Sequence, residues 1–418
     1  MYRYILLVFV SICQLQAATL ECKNHILTPK IKAGYANQAR NQSEVDSKNF
    51  LGVKSHSGFL TVNEEYNSNL FFWYFPHERQ AEVPWIIWLQ VVRRNLTWAS
   101  DYSLLFVDNP VGAGFSFTDD DKGYTQNEDE VGEQLYELLI QFLEIFPELK
   151  TAPLFIAGES YAGKYVPALA IQIHRRNRES KESETPINLR GLSIGNGLID
   201  PRSMMHYTEL CSVLGLLAGK DLEKLKELEN ASVTLLDEQR MVESANKFNE
   251  TIEFIKKKSG VSIYNFNRDP TSSKTPEFEL FVTKPEVRRW IHAGCAKFDF
   301  NNQLVYTKML VDFMNTTKPF VEELLEQYGV MCYSGQLDVI LPYGGSRYMY
   351  RDLHWTGRNK YDEAPRKRLR GTDGGVVGYK KSGGNFVEVV VRGAGHMVPA
   401  EEPEVLKFLL DAFIEDFK

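Results

Sequence analysis

The stretch Leu154-Phe-Ile-Ala-Gly-Glu-Ser160-Tyr-Ala-Gly-Lys-Tyr-Val-Pro-Ala168 decides how the rest of the chain is read. Its opening apolar run has the length of a buried strand, and Val166, Leu169, Ala170 and Ile173 then recur at helical spacing. Ser160 therefore sits on a strand-to-helix corner, flanked by the small residues Gly158, Ala162 and Gly163. Small flanks let a chain turn tightly enough to lift a hydroxyl above a sheet. A serine that merely caps the helix gives the same local pattern, so the corner alone does not choose.

Two later stretches favour the chemical reading. Val330-Met-Cys-Tyr-Ser-Gly-Gln-Leu-Asp338 is an apolar strand that breaks at Gly335 and presents a carboxylate just beyond it. Val387–Val391 is another apolar run, followed by the glycine-hinged loop Arg392-Gly-Ala-Gly-His396-Met-Val-Pro399. Taken singly, Asp338 reads as a turn aspartate and His396 as a loop histidine. Together with Ser160 they give the order serine, aspartate, histidine, which is the order of α/β-hydrolases, and the corner resembles their nucleophile elbow. A serine hydroxyl is a weak nucleophile until an imidazole takes its proton, and a carboxylate must hold that imidazole in the right tautomer. No metal or cofactor is needed. On this reading Ser160 is the nucleophile, His396 the base, Asp338 its orienting partner, and the Tyr161 N–H an oxyanion donor.

Four motifs carry a more specific resemblance. Gly158-Glu-Ser-Tyr-Ala-Gly-Lys-Tyr-Val-Pro167, Ile194-Gly-Asn-Gly-Leu-Ile-Asp-Pro201, Tyr333-Ser-Gly-Gln-Leu-Asp338 and Gly393-Ala-Gly-His-Met-Val-Pro399 resemble those of serine carboxypeptidases. Tyr66-Asn-Ser-Asn-Leu-Phe-Phe-Trp-Tyr-Phe75 and the segment Asp108–Asp120 look closest to the vitellogenic-like carboxypeptidases. The resemblance implies an α/β-hydrolase fold, a mostly parallel central sheet with an inserted helical cap, and peptide C-termini as substrate. It also implies that Glu159 and Gln90 contact the substrate's terminal carboxylate, with carboxylic acids acting in their protonated form.

The family pattern is broken at one point. After the strand Trp85-Ile-Ile-Trp-Leu-Gln90, serine carboxypeptidases carry a glycine-rich loop that supplies the second oxyanion donor, then a glutamate-bearing segment. Here the chain runs straight into Val91-Val-Arg-Arg-Asn-Leu-Thr-Trp98. Either the protein lacks the segment, or one coding block has dropped out of the sequence. Two alternatives to peptidase action follow: an esterase or acyltransferase on the same fold, and a catalytically weak or inactive scaffold or binding relative.

The remaining features bound the class. A chain of 418 residues, 43% hydrophobic, can bury a large core, and a net charge of -7 gives no reason to expect nucleic acid as a partner. Met1-Tyr-Arg3 and the following apolar run, closed by Ala17 and Ala18, read as a cleaved signal peptide over residues 1–18, too short for a membrane anchor. Sequons at Asn41, Asn95, Asn230, Asn249 and Asn315 fit a glycosylated protein of the secretory pathway, secreted or lysosomal. Beyond the signal peptide, Cys22, Cys211, Cys295 and Cys332 allow three complete pairings.

Alternation over Phe59–Phe75 predicts an early antiparallel hairpin, and Pro84–Leu89 and Leu104–Val107 read as buried central strands. Asn127 and Glu130 start a helix that ends at Pro147. Ser160 and Asp338 are separated by far more chain than two further βαβ steps of roughly 30 residues each would use. The expected organisation is a first core part over residues 19–200, a helical cap over 201–300, and a second core part over 301–418. The Lys- and Glu-rich stretch Gly219–Lys258 reads as solvated helices, and Arg366-Lys-Arg-Leu-Arg370 as part of a solvated surface loop.

Overall fold

The computed structural model describes residues 24–89, 97–180, 185–270 and 277–418; the signal-peptide reading, Cys22, Gln90 and Asn95 lie outside them. The strands are β1 (Glu44–Val45), β2 (Ser55–Asn63), β3 (Ser68–Phe75), β4 (Trp85–Trp88), β5 (Ser103–Val107), β6 (Leu154–Glu159), β7 (Leu189–Gly195), β8 (Gly329–Gly335), β9 (Lys367–Arg370), β10 (Val376–Gly383) and β11 (Phe386–Val391). They join into one sheet in the order β1-β2-β3-β5-β4-β6-β7-β8-β11-β10-β9. The run β5-β4-β6-β7-β8-β11 is parallel, and the strands flanking it on both sides are antiparallel.

A parallel strand covered on both faces is apolar throughout, and β4, β6 and β8 are buried at every position. Successive side chains supply opposite cores. Leu154 and Ile156 pack with helices α1 (Glu128–Ile145) and α2 (Ala162–Glu179), while Phe155 and Ala157 pack on the other face with the C-terminal helix Pro403–Phe417. Helix α1 starts as its sequence predicts. Asn127 Oδ1 accepts from the Glu130 N–H at 2.9 Å, and Glu130 Oε2 accepts from the Gln126 N–H at 2.8 Å.

Between β7 and β8 the described residues form helices and no strand of the sheet. The longest are α3 (Lys220–Asp237) and α4 (Met241–Ser259). Their charged composition hides an apolar face: Leu225, Leu236, Phe248 and Ile255 are buried against Tyr207 and Val339. The expected hairpin is β2–β3, with Asn67 in its turn at a φ of 47°.

The basic stretch departs from expectation. Residues 367–370 are not a loop but the edge strand β9, paired antiparallel with β10, and Arg366 is ion-paired with Glu388. Exposed positive charges on a terminal strand oppose edge-to-edge association, and sheet pairing over non-local distance is not visible in local composition. Cys211 and Cys332 are free and buried, whereas Cys295 is disulfide-bonded. Asn41 and Asn230 are exposed. The Asn249 amide donates to the Tyr306 hydroxyl and the Asn315 amide to Asp312 Oδ1.

Phe142 of α1 is fully buried, with its ring within 6.0 Å of those of Phe72, Tyr74, Trp85 and Phe146. Phe142→Ala is expected to lower the unfolding free energy by about 3–5 kcal/mol, read from urea denaturation. A loss well under 1 kcal/mol would contradict this packing.

Candidate active site

Ser160 lies where β6 gives way to α2, and its φ of 64° places a non-glycine residue in the left-handed region. Such a conformation costs of order 1–3 kcal/mol and persists only when its surroundings over-determine it. The Ser160 N–H donates to Gly195 O at 2.8 Å, and Ser160 O accepts from the N–H groups of Gly163 and Leu198, each at 3.0 Å. A Cβ on Gly158 would lie 2.5 Å from that of Ala162, and one on Gly163 would lie 2.5 Å from Leu198 N. Glycine is therefore needed at 158 and 163, and the bare Cα of Gly158 makes room for alanine at 162.

Asp338 follows β8, and His396 follows β11, the strand paired beside it with Val391 opposite Gly335. Asp338 Oδ2 is 2.7 Å from His396 Nδ1, and both side chains are almost fully buried. A carboxylate oxygen accepts here, so the proton sits on Nδ1 and Nε2 is left as the acceptor. Among the described residues, His396 Nε2 has no hydrogen-bond partner. Asp338 Oδ1 accepts from the Leu341 N–H at 3.2 Å.

The residues that hold this pair were not assigned from sequence. Asn196, at the end of β7 with a φ of 40°, donates through Nδ2 to His396 O at 2.7 Å and accepts through Oδ1 from the Gly335 N–H at 2.9 Å. Tyr264 O accepts from the His396 N–H at 2.6 Å, so a residue from between β7 and β8 fixes the histidine loop. Glu401 Oε2 accepts from the Gly395 N–H and the Asn265 amide. A Cβ on Gly335 would lie 1.8 Å from Gly395 O, and one on Gly395 would lie 2.2 Å from Tyr264 O. The glycines in Gly-Gln-Leu-Asp and Gly-Ala-Gly-His were a signal of these approaches; the Asn196 contacts left no comparable trace.

Ser160 and His396 line one cavity of about 340 Å³, together with Asp108, Asn109, Glu159 and Tyr161. Tyr161 is the N-cap residue of α2, whose N–H has no acceptor within its own helix. Glu159 is buried at the cavity wall, and Gln90 is outside the described residues. Asp108, beyond the end of β5, is partly open to the cavity and accepts from the Phe115 N–H at 2.7 Å. Burial pushes its carboxyl up to about 7, against that stabilising N–H. Among the described residues, no group of three or more His, Cys, Asp or Glu side chains is arranged to hold a metal.

The profile of the serine carboxypeptidase family matches residues 45–91 and 90–416, two segments that meet where the sequence departs from the family pattern. The chain is 36% identical to the vitellogenic carboxypeptidase of Aedes aegypti, over 90% of this chain and 87% of that one. It is also 36% identical to the probable serine carboxypeptidase CPVL of Homo sapiens, over 93% of this chain and 89% of that one. That second alignment spans 426 residues, more than the whole of this chain, so it contains residues of the human protein with no counterpart here. Among solved structures, the prohormone-processing carboxypeptidase KEX1(delta)P of Saccharomyces cerevisiae superposes with a TM-score of 0.79 at 22% identity, covering 90% of this chain and 96% of that one. That likeness shows a shared fold, the α/β-hydrolase fold. With the family profile spanning most of its length, this chain belongs to the serine carboxypeptidase family.

Proposed function

We propose that this protein removes single residues from peptide C-termini through an acyl-enzyme on Ser160, in the secretory pathway, as a secreted or lysosomal enzyme. The observation that carries the reading is the buried Asp338–His396 pair at 2.7 Å, whose Nε2, without a partner among the described residues, belongs to a residue lining the same cavity as Ser160. His396 Nε2 takes the hydroxyl proton as Ser160 Oγ attacks the scissile carbonyl. The tetrahedral oxyanion receives the Tyr161 N–H, His396 returns the proton to the leaving amine, and the C-terminal residue departs. Water then repeats the attack on the acyl-enzyme and restores Ser160. Glu159, at the cavity wall, is the contact for the terminal carboxylate. The helical segment of residues 201–300 acts as the cap, with Tyr264 its link to the histidine.

The break at residues 90–91 favours a second statement about rate. A missing oxyanion donor typically lowers turnover by about 100- to 1000-fold. This form therefore keeps an activated nucleophile and turns over slowly.

A fluorophosphonate probe is expected to label Ser160 stoichiometrically, with no labelling of Ser160→Ala. Peptides with a free C-terminus are expected to be hydrolysed at least tenfold faster than their C-terminal amides. Equal rates would exclude the carboxypeptidase reading in favour of an esterase or acyltransferase, and no labelling would leave a scaffold.

Asn196 positions the pair rather than touching substrate. Asn196→Ala strands a buried N–H and a buried C=O, each costing about 1–3 kcal/mol. It is expected to lower the urea midpoint and slow probe labelling of the folded fraction tenfold or more. Asn196→Asp keeps the acceptor for Gly335 N–H but turns a carboxyl oxygen toward His396 O in a buried site, so it is expected to lose stability as well; labelling at the parent rate in both variants would remove Asn196 from the mechanism.

A further inference from the structure

One wall of the cavity is not used by the chemistry proposed above. Asp108 and Asn109 follow β5, which is separated from β6 and its serine by β4, about 10 Å across two strand spacings. Asn109 is only 9% exposed, and among the described residues neither oxygen nor nitrogen of its amide has a hydrogen-bond partner. A buried amide with both atoms unmatched is rare in a folded protein, and a polar ligand or an ordered water would complete its bonding. Beside it the Asp108 carboxyl is fixed in place: Oδ2 holds the Phe115 N–H, and Gly114 approaches so closely that a Cβ there would lie 2.2 Å from the carboxyl. On its other side Asp108 borders a small apolar void ringed by Phe71, Trp73 and Phe115.

The surroundings restrict the chemistry of the missing ligand. The described residues lining the cavity include no lysine or arginine, while two carboxyl groups, Asp108 and Glu159, face it. Phe278, Phe298 and Phe300 line it on the same side as Asp108, giving rings for an aliphatic stem and a cationic head. The terminal carboxylate of a bound peptide is two bonds from the amine nitrogen that leaves the scissile carbonyl held at Ser160, and so belongs near Glu159. The far end of the departing residue's own side chain is what extends across β4 to β5.

We propose that Asp108 and Asn109 form a specificity site for a basic side chain, lysine or arginine, on the C-terminal residue of the substrate. Asp108 supplies the anion, and Asn109 Oδ1 accepts a second hydrogen bond from the ammonium or guanidinium group. This rests on the carboxypeptidase reading and deepens it. It also has a pH signature. A carboxyl with a pKa near 7 is ionised above that value and protonated below it, so the cation is held best at neutral pH and must displace a proton in acid. Glu159, on β6, is the other carboxyl lining the cavity, and His396, Tyr161, Tyr165 and Tyr264 are the remaining ionisable side chains among its described lining residues.

The test separates binding from turnover by using Ser160→Ala of the full chain. Two N-acetylated peptides, identical but for a C-terminal arginine or its uncharged near-isostere citrulline, are titrated calorimetrically near pH 5 and near pH 8. The arginine peptide is expected to bind at least tenfold tighter near pH 8, with the gap shrinking several-fold near pH 5. Adding Asp108→Asn, which keeps an acceptor for the Phe115 N–H, is expected to abolish the gap. Equal affinity of the two peptides at both pH values overturns the basic-residue site while leaving the carboxypeptidase reading standing. A gap that persists unchanged in Asp108→Asn overturns the role of Asp108. Failure of both peptides to bind at either pH overturns both readings.

Discussion

The site depends on a backbone approach that only glycine permits. Strands β8 and β11 run side by side, and beyond their ends the chain segments carrying Asp338 and His396 are drawn together until Gly335 Cα and Gly395 O leave no room for a methyl group. The Leu337 N–H donates to Ala394 O at 2.8 Å, and the Gln336 N–H to Val391 O at 2.9 Å. Two residues 58 positions apart in sequence are thus held to a single distance by main-chain bonds, and their side chains need adopt only a rotamer. Asn196 then bridges the two segments from β7, satisfying one donor and one acceptor that are buried from water. Placement by main chain, with the side chain ordered by packing, is what keeps a catalytic pair within tolerance.

The serine is held by a different device. Its strained φ is sustained because its carbonyl has two donors and its amide has one acceptor, all from main chain. Under the first turn of α2, Lys164 is fully buried, with its ammonium donating to the carbonyls of Asp312 and Asn315. A buried cation without such acceptors would be strongly destabilising. These contacts tie the turn after the nucleophile to the chain just ahead of the short helix Lys318–Leu325, so the corner is braced from outside the sheet as well as within it.

Much of this was legible in the chain. Central parallel strands announce themselves as apolar runs because both faces are covered, and the elbow announces itself through small residues that crowding makes obligatory. The order Ser160, Asp338, His396 follows from connectivity, so the partners could be named before their distance was known. What the sequence hid has physical reasons. Asn196 acts through side-chain bonds to two remote loops, and nothing in its local pattern distinguishes that from a turn. Tyr264 acts through its backbone carbonyl, which any residue carries. Residues 367–370 form an edge strand because β10 lies alongside, not because of their own alternation. The charged composition of α3 and α4 concealed an apolar face that appears only when the helices are paired.

The break after β4 acts on one part of this machinery and spares another. On the proposed mechanism, proton transfer from Ser160 to His396 needs the ends of β6, β7, β8 and β11, and the bonds described above that fix those ends run among those strands and the loops that follow them. Stabilising the oxyanion needs donors aimed at a position beside Ser160, and β4 is the strand directly adjacent to β6 on that side. Nucleophile activation and transition-state stabilisation therefore draw on separate strands of one sheet. On the proposed reading, a segment absent after β4 would lower the second without disturbing the first, because the electrostatic contribution of an oxyanion donor is realised only as negative charge develops. The Asp338–His396 pair and the strained Ser160 stand together beside a β4 end where the sequence departs from the family pattern, which is what this separation of roles predicts.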